Sequence, residues 1–197
     1  MIMDGAAHSD SAQMPTAHFT AKLAIWWLIG SEIMIFGGLI GSFILFRLAR
    51  PQWAEMAHHL SVPIGSFNTL ILLTSSYTMV RAFVSSGRRD RTATCWNLLV
   101  TALLGLTFLC VKGYEYAGKF SHGYYPNAGL FWAFYFTMTG LHALHVLIGI
   151  IAILILFVFG LRDRLWPIAS RVEFTGLYWH FVDVVWIFLF PLLYLTS

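Results

Sequence analysis

Charged side chains are scarce: Asp, Glu, Lys and Arg make up 11% of the 197 residues, where a soluble domain carries roughly 25%. So little charge cannot cover a water-facing surface, which excludes an ordinary soluble domain. Cysteine is scarcer still, with Cys95 and Cys110 both in one apolar run. Fifteen residues of helix separate them by ~22 Å, and a disulfide needs Cα atoms within roughly 7 Å. An intrachain bridge is excluded, and the two read as packing residues. No Cys-x-x-Cys-His is present for covalent haem attachment. No nucleic-acid motif, internal repeat or low-complexity tract occurs, although the net charge is +3. Residues 1–19 lack a basic segment followed by an apolar one. They read as a polar tail and not as a cleaved signal peptide, with His8 and His18 solvated.

What is abundant is apolar length. Hydrophobic residues form 58% of the chain, and the mean hydropathy is +0.73. A spanning helix needs ~20 largely apolar residues, and five runs qualify: 23–48, 64–84, 93–111, 130–161 and 174–195. The predicted fold is all-α, a polytopic membrane protein with a bundle of five transmembrane helices in one domain, 20–197. The fourth run must tilt or protrude from a bilayer core of ~30 Å. The loops are short and none holds a separate domain. With the N-terminus cytoplasmic, Lys22, Arg81, Arg88, Arg89, Arg91, Arg162, Arg164 and Arg171 fall inside, against Arg47, Arg50, Lys112 and Lys119 outside. That bias sets the expected orientation.

Ionisable groups inside a membrane are expensive and therefore informative. Glu32, His142, His145, His180 and Asp183 fall toward the centres of their runs. His142 and His145 share a helix face, as do His180 and Asp183, each pair at i, i+3. A histidine one turn from an aspartate can share a proton or have its tautomer fixed. Small residues line the same stripes: Gly149, Gly176, and Gly37-x-x-x-Gly41 in the first run, a pattern that admits close helix approach. This polar cluster could carry protons, a metal or a lipid headgroup. Equally, it could join helices by hydrogen bonds, each histidine with a protein or water partner. Haem would need one histidine from each of two helices, and His142 or His145 with His180 could supply them. No glutamate stands with them as in di-iron bundles, so the expectation is no metal. Glu115 and Tyr116, with Lys112 and Lys119 nearby, read as an anchoring motif at the outer interface.

Several segments resemble subunit III of haem–copper respiratory oxidases, the cytochrome c and quinol oxidases. Ser31-Glu32-Ile33-Met34-Ile35-Phe36 is similar to that family's Ser-Glu-x-x-x-Phe. Asn68 to Ser76 is similar to its second conserved helix. Gly113-Tyr114-Glu115-Tyr116 resembles its Gln-Gly-Tyr-Glu-Tyr, with Lys112 in place of the glutamine. Thr139-Gly140-Leu141-His142-Ala143-Leu144-His145-Val146 resembles Thr-Gly-x-His-x-x-His-Val, and Tyr178 to Trp186 matches over nine residues without a departure. These motifs keep the family's order from about residue 22 onward, and the chain resembles a short bacterial form lacking the first two of seven helices.

The resemblance implies an accessory subunit of a proton-pumping terminal oxidase in aerobic respiration, with cytochrome c oxidase the first reading. It implies no catalytic centre and no redox cofactor in this chain. Haems and copper would sit on partner subunits I and II, in a bacterial cytoplasmic membrane. The chain would bind phospholipid and support proton uptake and turnover stability of subunit I. Arg162 or Arg164 would contact a lipid headgroup, since a guanidinium can bind a phosphate bidentately. A subunit-III-like partner of a nitric oxide reductase is one alternative; a free-standing haem-binding or proton-translocating membrane protein is another.

Overall fold

The computed structural model describes residues 13–50, 52–57, 60–162, 164–165 and 170–195. Within them lie six α-helices: α1 (Gln13–Ala49), α2 (Trp53–Ala57), α3 (Val62–Gly87), α4 (Arg91–Ser121), α5 (Leu130–Leu161) and α6 (Ser170–Phe190). A π-turn, Pro191–Leu195, ends the described chain. The expected tail is partly helical, because α1 begins at Gln13; His8 and the side chain of His18 lie outside what the structure describes.

Local chemistry sets the boundaries. Pro63 occupies the first turn of α3, where its missing N–H has no helical partner to lose. Asp90 caps α4 by accepting from the Ala93 amide at 3.0 Å. Between these helices Arg89 takes a left-handed conformation, φ 55°, which folds α3 back on α4. After α4, Gly123 takes φ 79°, the conformation glycine adopts without Cβ strain just past a helix end. Pro191 cannot donate to the α6 ladder, and the turn widens there.

Helices α3, α4, α5 and α6 close a four-membered ring, each packed on the next, with α1 against the outside of α5 and α6. Among the described residues, α1 (from Phe19), α4, α5 and α6 with its π-turn are long and apolar enough to cross a membrane. The expected second run, α3, is not among them, although its 26 residues make ~39 Å of helix. Its hydropathy is diluted by Asn68, Thr69, Thr74, Ser75, Ser76 and Thr78. Asn68 and Ser75 are fully buried, whereas Phe67, Leu70, Tyr77, Val80 and Phe83 are exposed. The buried face mixes Asn68 and Ser75 with Ile71, Leu72, Met79 and Ala82, while large apolar side chains dominate the outer face.

Trp179 fills the centre of the ring, fully buried. A Cβ built on Gly105 of α4 or Gly149 of α5 would lie 2.7 Å from its ring, so both glycines are required for the indole to fit. The small-residue stripe of α1 differs. Gly37 and Gly41 have nothing within 4 Å of a Cβ position, so the close approach expected there does not occur among the described residues.

Candidate functional site

The polar residues singled out in the sequence lie inside the bundle, but they separate into distinct contacts. Glu32 of α1 meets His145 of α5: Nε2 lies 3.0 Å from Oε2, at ion-pair distance without hydrogen-bond alignment. His145 Nδ1 donates to the Leu141 carbonyl at 2.7 Å, which turns Nε2 toward the carboxylate. Phe36, one turn beyond Glu32, sets its ring edge against the same imidazole, centroids 5.4 Å apart. Two further ties hold α1, Lys22 with Glu173 at 3.9 Å and Arg47 Nη1 to the Leu192 carbonyl at 3.4 Å.

His180 contacts Ser76 instead of Asp183: Nδ1 is 2.7 Å from the serine hydroxyl. Parallel contacts join the same two helices. Trp179 Nε1 donates to Ser75 at 3.1 Å, and Trp186 Nε1 donates to Thr69 at 3.0 Å. Polar α3 side chains thus serve as acceptors and partners for α6 aromatics. Asp183 is buried beside the same Ser76 hydroxyl, and Asn68 and His142 are buried without a hydrogen-bond partner among the described residues. Within the protein, His142 is met by rings rather than by hydrogen bonds. Its ring lies 5.1 Å from Trp186 and 5.5 Å from Phe108.

A second constellation sits toward the C-terminal end of α4. Lys112 and Glu115 are buried, with Nζ 3.0 Å from Oε2. Lys112 also donates to Tyr194 at 2.7 Å. The Tyr194 and Tyr135 hydroxyls donate to Glu115 Oε1 at 2.7 and 3.0 Å. Trp186, Tyr194, Tyr135 and Tyr116 present rings to the ammonium at 5.0 to 5.7 Å, favourable for a desolvated cation. Tyr116 closes the group through Thr139 at 2.5 Å. Glu115 and Tyr116, expected as an outer-interface motif, are turned toward the bundle. Glu115 is in a buried ion pair, and Tyr116 is half-buried against α5. On the far side Glu115 borders a cavity of about 590 Å³ that Ser61, Lys119, His122 and Tyr124 also line. At the opposite end of α5, exposed Arg162 closes an apolar groove of about 360 Å³ lined by Ile151, Leu154, Ile155, Val158 and Phe159. Arg164 is exposed beside it. Among the described residues no three His, Cys, Asp or Glu side chains converge as metal ligands.

Comparison with known proteins places these contacts in a lineage. The family described as cytochrome c oxidase subunit III matches residues 2–197. The chain belongs to that family. Among curated relatives, the cytochrome c oxidase subunit 3 of Corynebacterium diphtheriae is 34% identical over 170 residues, 84% of this chain and 83% of that protein. A "probable quinol oxidase subunit 3" of Staphylococcus aureus is 32% identical over 178 residues, 89% of each.

Seen as a subunit III chain, the five sequence motifs are the faces by which its helices meet. The first joins the fourth through Glu32 and His145, the second joins the fifth through Thr69, Ser75 and Ser76, and the third joins the fourth through Glu115, Tyr116, Tyr135 and Thr139. Sequence reasoning missed Tyr135, Tyr194 and the role of Lys112. The available signal was the i, i+3 spacing of Lys112 and Glu115. It also missed Arg91, whose Nε donates to the Gly160 carbonyl at 2.8 Å and whose Nη2 reaches the Leu161 carbonyl. Arg91 thus caps the C-terminal end of α5, where a cation also opposes the helix dipole.

Proposed function

We propose that this chain is the accessory, non-redox subunit III of a proton-pumping haem–copper terminal oxidase. It packs against oxidase subunits I and II in a bacterial cytoplasmic membrane. The observation that carries the reading is that, within a chain of the subunit III family, the intramembrane Glu32, His145 and His180 are engaged in helix-to-helix contacts. Their chemistry is spent on holding the shape of the bundle. Relatives named for both cytochrome c and quinol oxidases are similar to the chain to nearly the same degree, so the reading stops at the oxidase and leaves the donor to other subunits.

In this reading α3 is a fifth span, the N-terminus is cytoplasmic, and phospholipid occupies the α5 groove with its phosphate on Arg162 or Arg164. Acyl chains suit the apolar walls, and a guanidinium at the end of an apolar groove suits a phosphodiester. The subunit covers lipid-facing surface of subunit I and keeps water from groups there that depend on a dry setting.

Oxygen consumption over successive turnovers, with and without the chain, tests the proposal. The expected result is a normal initial rate followed by faster inactivation in the depleted enzyme. Immediate and complete loss of activity would assign the chain a catalytic role, and an unchanged time course would remove the supporting one.

A further inference from the structure

We infer that the outer face formed by α3 and α6 around His180 receives a membrane helix of another oxidase subunit, one that brings a hydroxyl or carboxamide side chain to His180 Nε2. The inference rests on the proposed place of the chain in an oxidase and adds which face is covered. His180 is half-buried. Its Nδ1 lies 2.7 Å from the Ser76 hydroxyl, which also stands beside Asp183. One imidazole nitrogen is therefore held from within the bundle. The other is not: among the described residues Nε2 meets no hydrogen-bonding group, and it is not one of the polar atoms sealed inside. It opens on the bundle surface beside α3, and the ring cannot turn it inward without giving up Ser76.

Depth makes that opening costly. His180 is the eleventh of the 26 residues from Ser170 to Leu195, ~15 Å from one end of the span and ~22 Å from the other. A phospholipid brings its polar atoms only to the ends of such a span, and hydrocarbon offers no hydrogen bond. Other polar side chains exposed along the helices answer the problem alone. Ser31, Thr74 and Thr107 each return their hydroxyl to a carbonyl of their own helix. The face around His180 is otherwise apolar and spaced as a helix seam. Leu73 and Val80 flank Ser76 on α3, and Val184 and Ile187 follow His180 at i+4 and i+7 on α6; all four are 44–47% exposed. A single polar position in an apolar seam selects partner and register. Ser76 either donates to Nδ1 or accepts from it, and Nε2 is a donor or an acceptor accordingly. A hydroxyl or a carboxamide, which does both, answers either tautomer.

A photoreactive benzophenone amino acid at Leu73 or at Val184, in the assembled oxidase in its own membrane, tests the face. Leu45 of α1 and Ile151 of α5, exposed on other sides of the bundle, are the comparison positions. The expected result is an adduct with one other oxidase subunit from both 73 and 184, mapped by mass spectrometry to a membrane helix with a hydroxyl or carboxamide side chain within a turn of the linked residue. Adducts with another subunit from 45 or 151 alone overturn the inference while leaving the chain an oxidase subunit. Adducts at 73 and 184 with lipid only, or with a second copy of this chain, overturn it too. A chain that does not co-purify with an oxidase overturns the underlying reading itself. Two variants then isolate Nε2, since a glutamine carboxamide reaches its position and an asparagine carboxamide reaches only that of Nδ1. His180→Asn is expected to leave the oxidase about threefold more readily on dilution in mild detergent, the scale of one interhelical hydrogen bond in a membrane, and His180→Gln to stay near the native chain. Native retention of His180→Asn would remove Nε2 from the contact. The cross-links leave His180 unchanged and decide the face whether or not either variant folds.

Discussion

At the scale of single residues, the lysine–glutamate pair is the strongest commitment in the chain. Taking two charges out of water costs several kcal/mol each, and mutual attraction offsets this only when further hydrogen bonds satisfy both groups. Here two tyrosine hydroxyls and four rings complete the arrangement. Lys112→Met strands Glu115, and Glu115→Gln strands the ammonium. Each single change is expected to destabilise by about 3–5 kcal/mol, the range for breaking a buried pair. The double variant should cost far less than the sum, a coupling that SDS-induced unfolding of all four proteins measures. Strict additivity would show that the pair does not act as a unit. The lipid residues give a second test. Arg162→Ala with Arg164→Ala should lower the phospholipid retained after delipidation, as read by native mass spectrometry; unchanged retention would leave the arginines as topological anchors only. Legibility differed among these side chains. Glu32, His142, His145, His180 and Asp183 stand out because a polar group in an apolar run has no other explanation. Their partners did not. Spacing placed His180 and Asp183 on one face of α6, but the choice of Ser76 as partner was made by α3, and helical periodicity carries no information about a neighbouring helix. Tyr135 and Tyr194 were invisible because an aromatic residue is ordinary in any membrane helix.

At the scale of elements, the apolar runs located every long helix, but hydropathy misjudged their ends. The third run fades at Val111, while α4 continues to Ser121. Lys112 and Glu115 break the apolar pattern yet satisfy each other, so the helix has no reason to stop there. Glycine positions show the same dependence on context. Gly37-x-x-x-Gly41 and Gly149 look alike in sequence, yet only Gly149 carries a helix contact in this chain. Its absent Cβ leaves room for Trp179, two of whose ring atoms would otherwise stand at 2.7 and 2.8 Å. Gly149→Ala is therefore expected to cost about 1–3 kcal/mol, as overpacking does. Gly37→Ala faces open space and should stay within about 0.5 kcal/mol. Thermal unfolding of both variants in the same detergent compares them directly, and equal effects would mean that Trp179 can move aside.

At the scale of the whole molecule, the open question of architecture is whether α3 crosses the membrane. Hydropathy argues against it, and the packing of the bundle argues for it. Residues 88–90 form a tight turn that lays α3 antiparallel to α4. At the far end, Ser61 and Ile64 border the same cavity as Gly118 and Ser121. The helix accordingly covers nearly the height of α4, and Thr78 meets Thr101 between these ends at 2.7 Å. If α4 crosses a bilayer, α3 can avoid doing so only by separating from it, which would expose Asn68, Ser75 and Ser76 to hydrocarbon at several kcal/mol per unsatisfied group. Low hydropathy is what the proposed α3 span would show with its polar side chains turned toward α4 and α6. The proposed orientation rests on basic residues. With Lys112 buried, it would leave still fewer of them on the outside, against an inside that would hold Arg88, Arg89, Arg91, Arg162 and Arg171. Reporter fusions at Glu55, at Arg89 and after Ser197 separate the possibilities. Five spans place Glu55 outside, Arg89 inside and the C-terminus outside. Glu55 and Arg89 on one side would mean that α3 does not cross. Arg89 and the C-terminus on one side would contradict any arrangement in which α4, α5 and α6 all cross.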